Sequence, residues 1–197
     1  MRNARPPSAA PDPIDARLQS ALLGQDWPLL EKLCRQALRK NGRHLRANRM
    51  LGFALHKQRR TDDALKAYQQ GATLWPDDAE LLINYANVLL ENLRNDEASP
   101  LLERVCALRP DHAMAWVKLA QCFYDIRQHE KGLEAAEKAV TLAKNATERV
   151  AALNQRAIHR RELGQIREAV RDSEEAIALN PQEPANHANR LLFMLAD

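Results

Sequence analysis

Proline sets the register of this chain. Three segments close on one or two apolar residues, then Pro and a polar pair: GATLWPDD ending at Asp78, RVCALRPDH ending at His112, and EAIALNPQE ending at Glu183. Pro76 and Pro110 lie 34 residues apart, and Pro110 to Pro181 spans 71, two such periods plus a three-residue insertion. The insertion falls near Asn145-Ala146-Thr147, with Lys144 where a further proline is expected. A fixed period of this length means stacked supersecondary units, none of which can bury its apolar face alone.

Within each period the same residue classes return in order. Leu51-Gly52, Tyr85-Ala86, Leu119-Ala120 and Arg156-Ala157 align, followed by Leu55, Leu89, Phe123 and Arg160. Further on come Ala64, Ala98, Gly132 and Ala169, then Tyr68, Leu102, Ala136 and Ser173. Apolar spacings such as Leu51, Ala54 and Leu55 put one buried stripe on a helix, so each period holds two helices. Gly52, Ala86, Ala120 and Ala157 are small enough for the first helix of a pair to approach the second closely. The Thr61-Asp62 and Asn95-Asp96 pairs are expected to cap second helices, and Gly164 to end a first one. No stretch alternates apolar and polar residues as a strand would.

This pattern resembles the tetratricopeptide repeat (TPR), a unit written W-x2-L-G-x2-Y, then A-x3-F, then P. The resemblance implies an all-α solenoid of antiparallel helix pairs forming a superhelix. Its repeats would be residues 45–78, 79–112, 113–149 and 150–183, after a degenerate repeat at 14–44 anchored by Trp27 and Ala37, and before a terminal helix at 184–197. Residues 1–13, rich in Pro and Ala, have no core-forming pattern and are expected to be a disordered tail.

In that family the first helix of each pair lines a concave surface. The resemblance therefore makes a row of Met50, Asn84, Lys118, Gln155 and Asn189 the candidate ligand contacts, with a second row, Phe53, Asn87, Gln121, Ile158 and Leu192, one turn along. Lys57, Glu91, Asp125 and Glu162 sit further along the same face. Amides at such positions can bond a peptide backbone without reading its sequence. Arg49, Asn84, Asn87, Lys118, Gln121 and Gln155 are thus the expected peptide-groove residues, and the expected partner is a protein or peptide ligand held by a non-enzymatic interaction scaffold. Some family members grip a terminal carboxylate with a clamp of Lys, Asn and Arg. Arg49, Asn84 and Lys118 match three of its five positions, but Phe53 and Met114 replace an Asn and a Lys, so the clamp is incomplete.

Catalytic patterns are missing: there is no GxSxG, HExxH, GxxxxGK[ST] or GxGxxG. The six histidines sit singly, mostly at expected helix ends or on polar faces. No catalytic residue, cofactor or metal site is read. Cys34, Cys106 and Cys122 are widely spaced, with no CxxC pair, and read as reduced core residues. No apolar run approaches the roughly 20 residues of a membrane span, and the first residues carry no apolar leader, so a cytoplasmic location is expected. Residues 1–60 hold 13 basic and 4 acidic side chains, a net of +9, against −6 in the remainder. The cluster Arg35, Arg39, Lys40, Arg43, Arg46 and Arg49 offers an alternative as an RNA- or membrane-surface binder. Without interleaved aromatic residues for base stacking, it reads better as a solvated helix face.

The run from Leu191 to Leu195 is five apolar residues long, more than one buried stripe accounts for. Asn189, Leu191, Leu192 and Phe193 resemble the junction in bacterial TPR glycosyltransferases of the O-GlcNAc transferase type, where the repeats lead into a catalytic domain. That resemblance implies the first alternative, ranked ahead of the basic-patch binder: the N-terminal substrate-recruiting region of a protein glycosyltransferase. It also makes Leu192, Phe193 and Leu195 the expected docking surface, for a following domain or for self-association through this helix.

Overall fold

The computed structural model describes residues 13–194, among which eleven α-helices and no strand form. The expected tail, apart from Pro13, and Leu195 of the expected docking surface lie outside the described residues. The helices are α1 (Pro13–Leu23), α2 (Trp27–Lys40), α3 (Leu45–Lys57), α4 (Thr61–Leu74), α5 (Ala79–Glu91), α6 (Asn95–Leu108), α7 (Ala113–Asp125), α8 (His129–Leu142), α9 (Ala146–Glu162), α10 (Ile166–Leu179) and α11 (Pro184–Met194). Pro13 opens α1 and is not tail. The chain divides into two compact units, residues 1–76 with α1–α4 and residues 77–197 with α5–α11.

Every first helix ends the same way. Gln25, Arg59, Leu93, Arg127 and Gly164, one in each turn to the second helix, have φ of 52°, 64°, 58°, 57° and 76°. The amide after each bonds back five residues, as Arg60 N to Leu55 O at 3.0 Å and Gln165 N to Arg160 O at 2.8 Å. This is the Schellman ending, which satisfies the last carbonyls of a helix. Only one of the five is glycine, the residue that takes this conformation without steric cost, so four turns carry roughly 1–2 kcal/mol of backbone strain each. Leu93, 83% exposed, loses no packing when truncated. Leu93→Gly should therefore stabilise the second unit by up to about 1 kcal/mol once the added freedom of the unfolded chain is counted, read as a raised midpoint in urea. A lowered midpoint would mean that the turn is unstrained.

The caps differ from expectation. Thr61 and Asn95 are the first helical residues of α4 and α6, and neither helix has a side-chain cap. Arg60 and Arg94, standing before them, reach forward instead to Asp63 and Glu97, each at 2.7 Å. Asp78, His112 and Asn145 cap the first helices α5, α7 and α9, accepting from the amides of Leu81, Ala115 and Glu148 at 2.8, 3.2 and 2.9 Å, and Asp26 caps the second helix α2, accepting from Leu29 N at 3.0 Å. The three-residue insertion also resolves. α9 has 17 residues where α3, α5 and α7 have 13, and the loop before it is one residue shorter, so residues 146–149 belong to the first helix of the fourth pair and not to the end of the third.

In the first unit Leu18, Leu30, Leu33, Leu51 and Leu55 are buried together. A Cβ on Gly52 would stand 2.7 Å from the Tyr68 ring, so here glycine is needed for the close approach of α3 and α4. In the second unit one cluster joins Val117, Val140, Leu153 and Ala176, and another joins Ala157, Ala169 and Phe193.

Residues at two places in the second unit depart from the repeat. His159 stands where the neighbouring pairs have Cys122, Val88 and Ala54, and it is fully buried, which corrects the expectation that the histidines occupy helix ends and polar faces. Its Nε2 donates to Ala120 O at 3.0 Å, leaving Nδ1 buried without a partner. Burial depresses its pKa, and the Ala120 bond offsets this only in part. The ring fills the space that a Cβ at residue 132 would need, which explains Gly132 where Ala64, Ala98 and Ala169 stand in the other pairs. Arg156 and Arg160, where pair three has Leu119 and Phe123, converge on Asp172 of α10. Arg156 binds it through Nε and Nη2 at 3.0 and 2.6 Å, and Arg160 through Nη1 at 2.8 Å. Burial works against the Arg156 charge, and the Asp172 bonds more than offset it.

Candidate functional site

Along the second unit, α5, α7 and α9 present equivalent positions one period apart. Asn84 and Asn87 on α5, Lys118 and Gln121 on α7, and Gln155 on α9 occupy i and i+3 positions of their helices, which lie on one helix face. Asn84, Asn87, Lys118 and Gln155 are half-buried and Gln121 is exposed. Among the described residues, none of the five has a side-chain hydrogen bond or ion pair. Asn87 Oδ1 is shielded from solvent and unpaired, a state that costs free energy until a donor reaches it. At the end of this face burial raises the Asp125 carboxyl above its usual pKa.

The other expected site residues behave differently. Arg49 belongs to α3 of the first unit, is half-buried and is already engaged, whereas the face just described lies in the second unit. Phe193 is 1% exposed, packs on Ala157, Ala169, Ile158 and Val170, and has the Arg161 guanidinium over its ring at 5.6 Å. It therefore cannot belong to a docking surface: with the stripe of α11 facing α9 and α10, Phe193 turns inward while Leu191, Leu192 and Met194 turn outward. Leu192 is 55% exposed. The basic cluster is largely engaged within its own unit. Arg35 pairs with Glu31 at 2.8 Å, Arg46 bonds Gln19 at 3.2 Å, and Arg43 lies over the Trp75 ring at 5.4 Å.

Cys34, Cys106 and Cys122 are buried and free. Burial pushes the first two thiols up to about 12 and the third to about 11, which leaves them poor nucleophiles. No group of three or more His, Cys, Asp or Glu side chains suited to a metal ion occurs among the described residues, and no described helix is long and apolar enough to cross a membrane.

A tetratricopeptide repeat family model matches residues 30–79 and 84–147, and a second model of the same repeat matches 55–107. The chain belongs to the tetratricopeptide repeat family. Solved TPR structures share its fold at low identity. A double mutant of MamA RS-1 is 21% identical, with 85% of this chain and 93% of that one covered and a TM-score of 0.76. YrrB is 13% identical, with 90% and 91% covered and a TM-score of 0.79. A TPR protein from Parabacteroides merdae ATCC 43184 is 16% identical, with 93% and 72% covered and a TM-score of 0.79. No curated relative matches the sequence. In TPR terms Asn84, Asn87, Lys118, Gln121 and Gln155 occupy first helices, and the network around Asp172 joins first helix α9 to second helix α10.

Proposed function

We propose that this TPR chain is a protein-interaction scaffold whose second unit binds an extended peptide along the first helices α5, α7 and α9. The observation that carries the reading is the row of Asn84, Asn87, Lys118, Gln121 and Gln155, polar, on equivalent faces and without side-chain partners. Amides that recur at equivalent positions of successive helices and are left without side-chain partners are suited to a ligand's amides. Each Asn or Gln both donates and accepts, which matches the alternating N–H and C=O of an extended backbone. Lys118 adds a donor for a carbonyl or carboxylate. The YrrB structure, described as that of a TPR protein with an unusual peptide-binding site, lends the reading support from fold alone.

The test is selection of binders from a random-peptide display library by the full chain, followed by affinity measurement with the variant Asn84→Ala/Asn87→Ala/Lys118→Ala/Gln121→Ala. Each lost hydrogen bond should cost about 0.5–1.5 kcal/mol, so the quadruple variant should bind at least about 30-fold more weakly. Its thermal midpoint should stay near that of the parent, since none of the four holds another side chain. Equal affinity in parent and variant would refute the groove.

A further inference from the structure

We infer that a second binding site, between α7 and α8, takes an arginine side chain of a protein partner. It is independent of the groove proposed above.

A cavity of about 690 Å³ is lined by Pro110, Trp116, Glu134, Glu137, Lys138 and Thr141. A smaller one of about 190 Å³ shares Trp116, Glu134 and Lys138 with it and reaches Phe123 and Lys131. The floor is the half-buried indole of Trp116. Its N–H is already satisfied, donating to Pro110 O at 3.0 Å, so what the ring offers the cavity is its π face. The chain shows what that face attracts, because the Lys138 ammonium lies 4.5 Å from the ring centroid. One heptad earlier on the same helix, Lys131 lies 5.8 Å from the Phe123 ring. Each lysine is a stand-in cation on a flexible stem, exposed and free to swing away.

The wall supplies the opposite charge. Glu134, one turn before Lys138, is exposed and has no ion pair or hydrogen bond among the described residues. Among the described residues the Glu137 side chain has only the Arg160 guanidinium, 3.9 Å away. A cation entering over Trp116 would therefore meet an aromatic face below and an unpaired carboxylate beside it. Arginine suits this better than lysine: its planar guanidinium stacks on an indole while its fork reaches a carboxylate, and it gives up hydration more readily. Entry requires only that the Lys138 head group return to water. At an exposed site that contact is worth a small factor, so the internal lysine acts as a weak competitor.

The experiment titrates N-acetyl-arginine methylamide into the full chain and follows the three tryptophan indole N–H signals by NMR, with the Trp116 signal identified as the one lost in Trp116→Leu. Saturable movement of that signal alone is expected, with a millimolar dissociation constant. Lys138→Gln should bind about two- to fivefold more tightly, because it removes the competitor while keeping the fold. Glu134→Gln should weaken binding by at least about threefold. N-acetyl-glutamate methylamide should give no saturable shift, and tetramethylammonium should bind more weakly than the arginine compound. Unchanged or weaker binding in Lys138→Gln, equal response to the glutamate compound, or preference for tetramethylammonium would overturn the assignment.

Discussion

Gly132→Ala should destabilise the second unit by about 2–4 kcal/mol, and adding His159→Cys should recover most of that loss. A Cβ at residue 132 overlaps the His159 imidazole. The ring cannot retreat, since it is fully buried, tied to Ala120 O, and flanked by Tyr124 and His129 with ring centroids 6.1 and 5.8 Å away. The double variant recreates the Ala98 and Cys122 combination found one repeat earlier in the chain. Urea unfolding of the parent, the single variant and the double variant measures the coupling. A single variant as stable as the parent would show that the interface between α8 and α9 is loosely packed there.

Asp172→Ala should cost about 3–5 kcal/mol, the usual loss when one partner of a buried charge network is removed. The Asp172 side chain is only 4% exposed, those of Arg156 and Arg160 are 18% exposed, and Arg160 Nε is already buried without a partner. Deleting the carboxylate leaves two cations between α9 and α10, with Glu137 at 3.9 Å from Arg160 and Glu175 and Glu137 as the remaining carboxylates acting on Arg156. The triple change Arg156→Leu, Arg160→Phe and Asp172→Ala installs the residues of the preceding pair, Leu119, Phe123 and Ala135, at the same positions. It should restore stability to the parent level or above, because replacing a buried ion network by apolar packing is often neutral or stabilising. A triple variant less stable than Asp172→Ala would mean that the fourth pair does not share the packing of the third.

The proline spacing made the helix pairs legible, because one period of two apolar stripes admits little else. It also made the rows legible: Asn84 and Lys118 could be placed at equivalent positions from the register alone. What the register could not show was engagement. Arg49 and Asn84 both looked available, yet Arg49 has a partner and Asn84 does not, a difference set by neighbouring side chains. The left-handed turn residues escaped notice because Gln25, Arg59, Leu93 and Arg127 occupy positions that usually signal themselves as glycine. His159 and Gly132 carried a signal, a large residue and a small one out of register in adjacent pairs, but only their contact makes it interpretable. The apolar run at the end of the chain showed that some residues must face outward. Which ones depended on how α11 is turned, and that buries Phe193 while exposing Leu191, Leu192 and Met194.

The peptide groove is tested most directly by the side-chain amide signals of the full chain, labelled with ¹⁵N and mixed with a display-selected peptide. The account predicts that the NH2 resonances of Asn84, Asn87, Gln121 and Gln155 shift and saturate together, with backbone amides of α5, α7 and α9 following. If those four stay fixed while amides of α6, α8 and α10, or of the first unit, respond to the same peptide, the ligand lies elsewhere and the groove assignment is wrong.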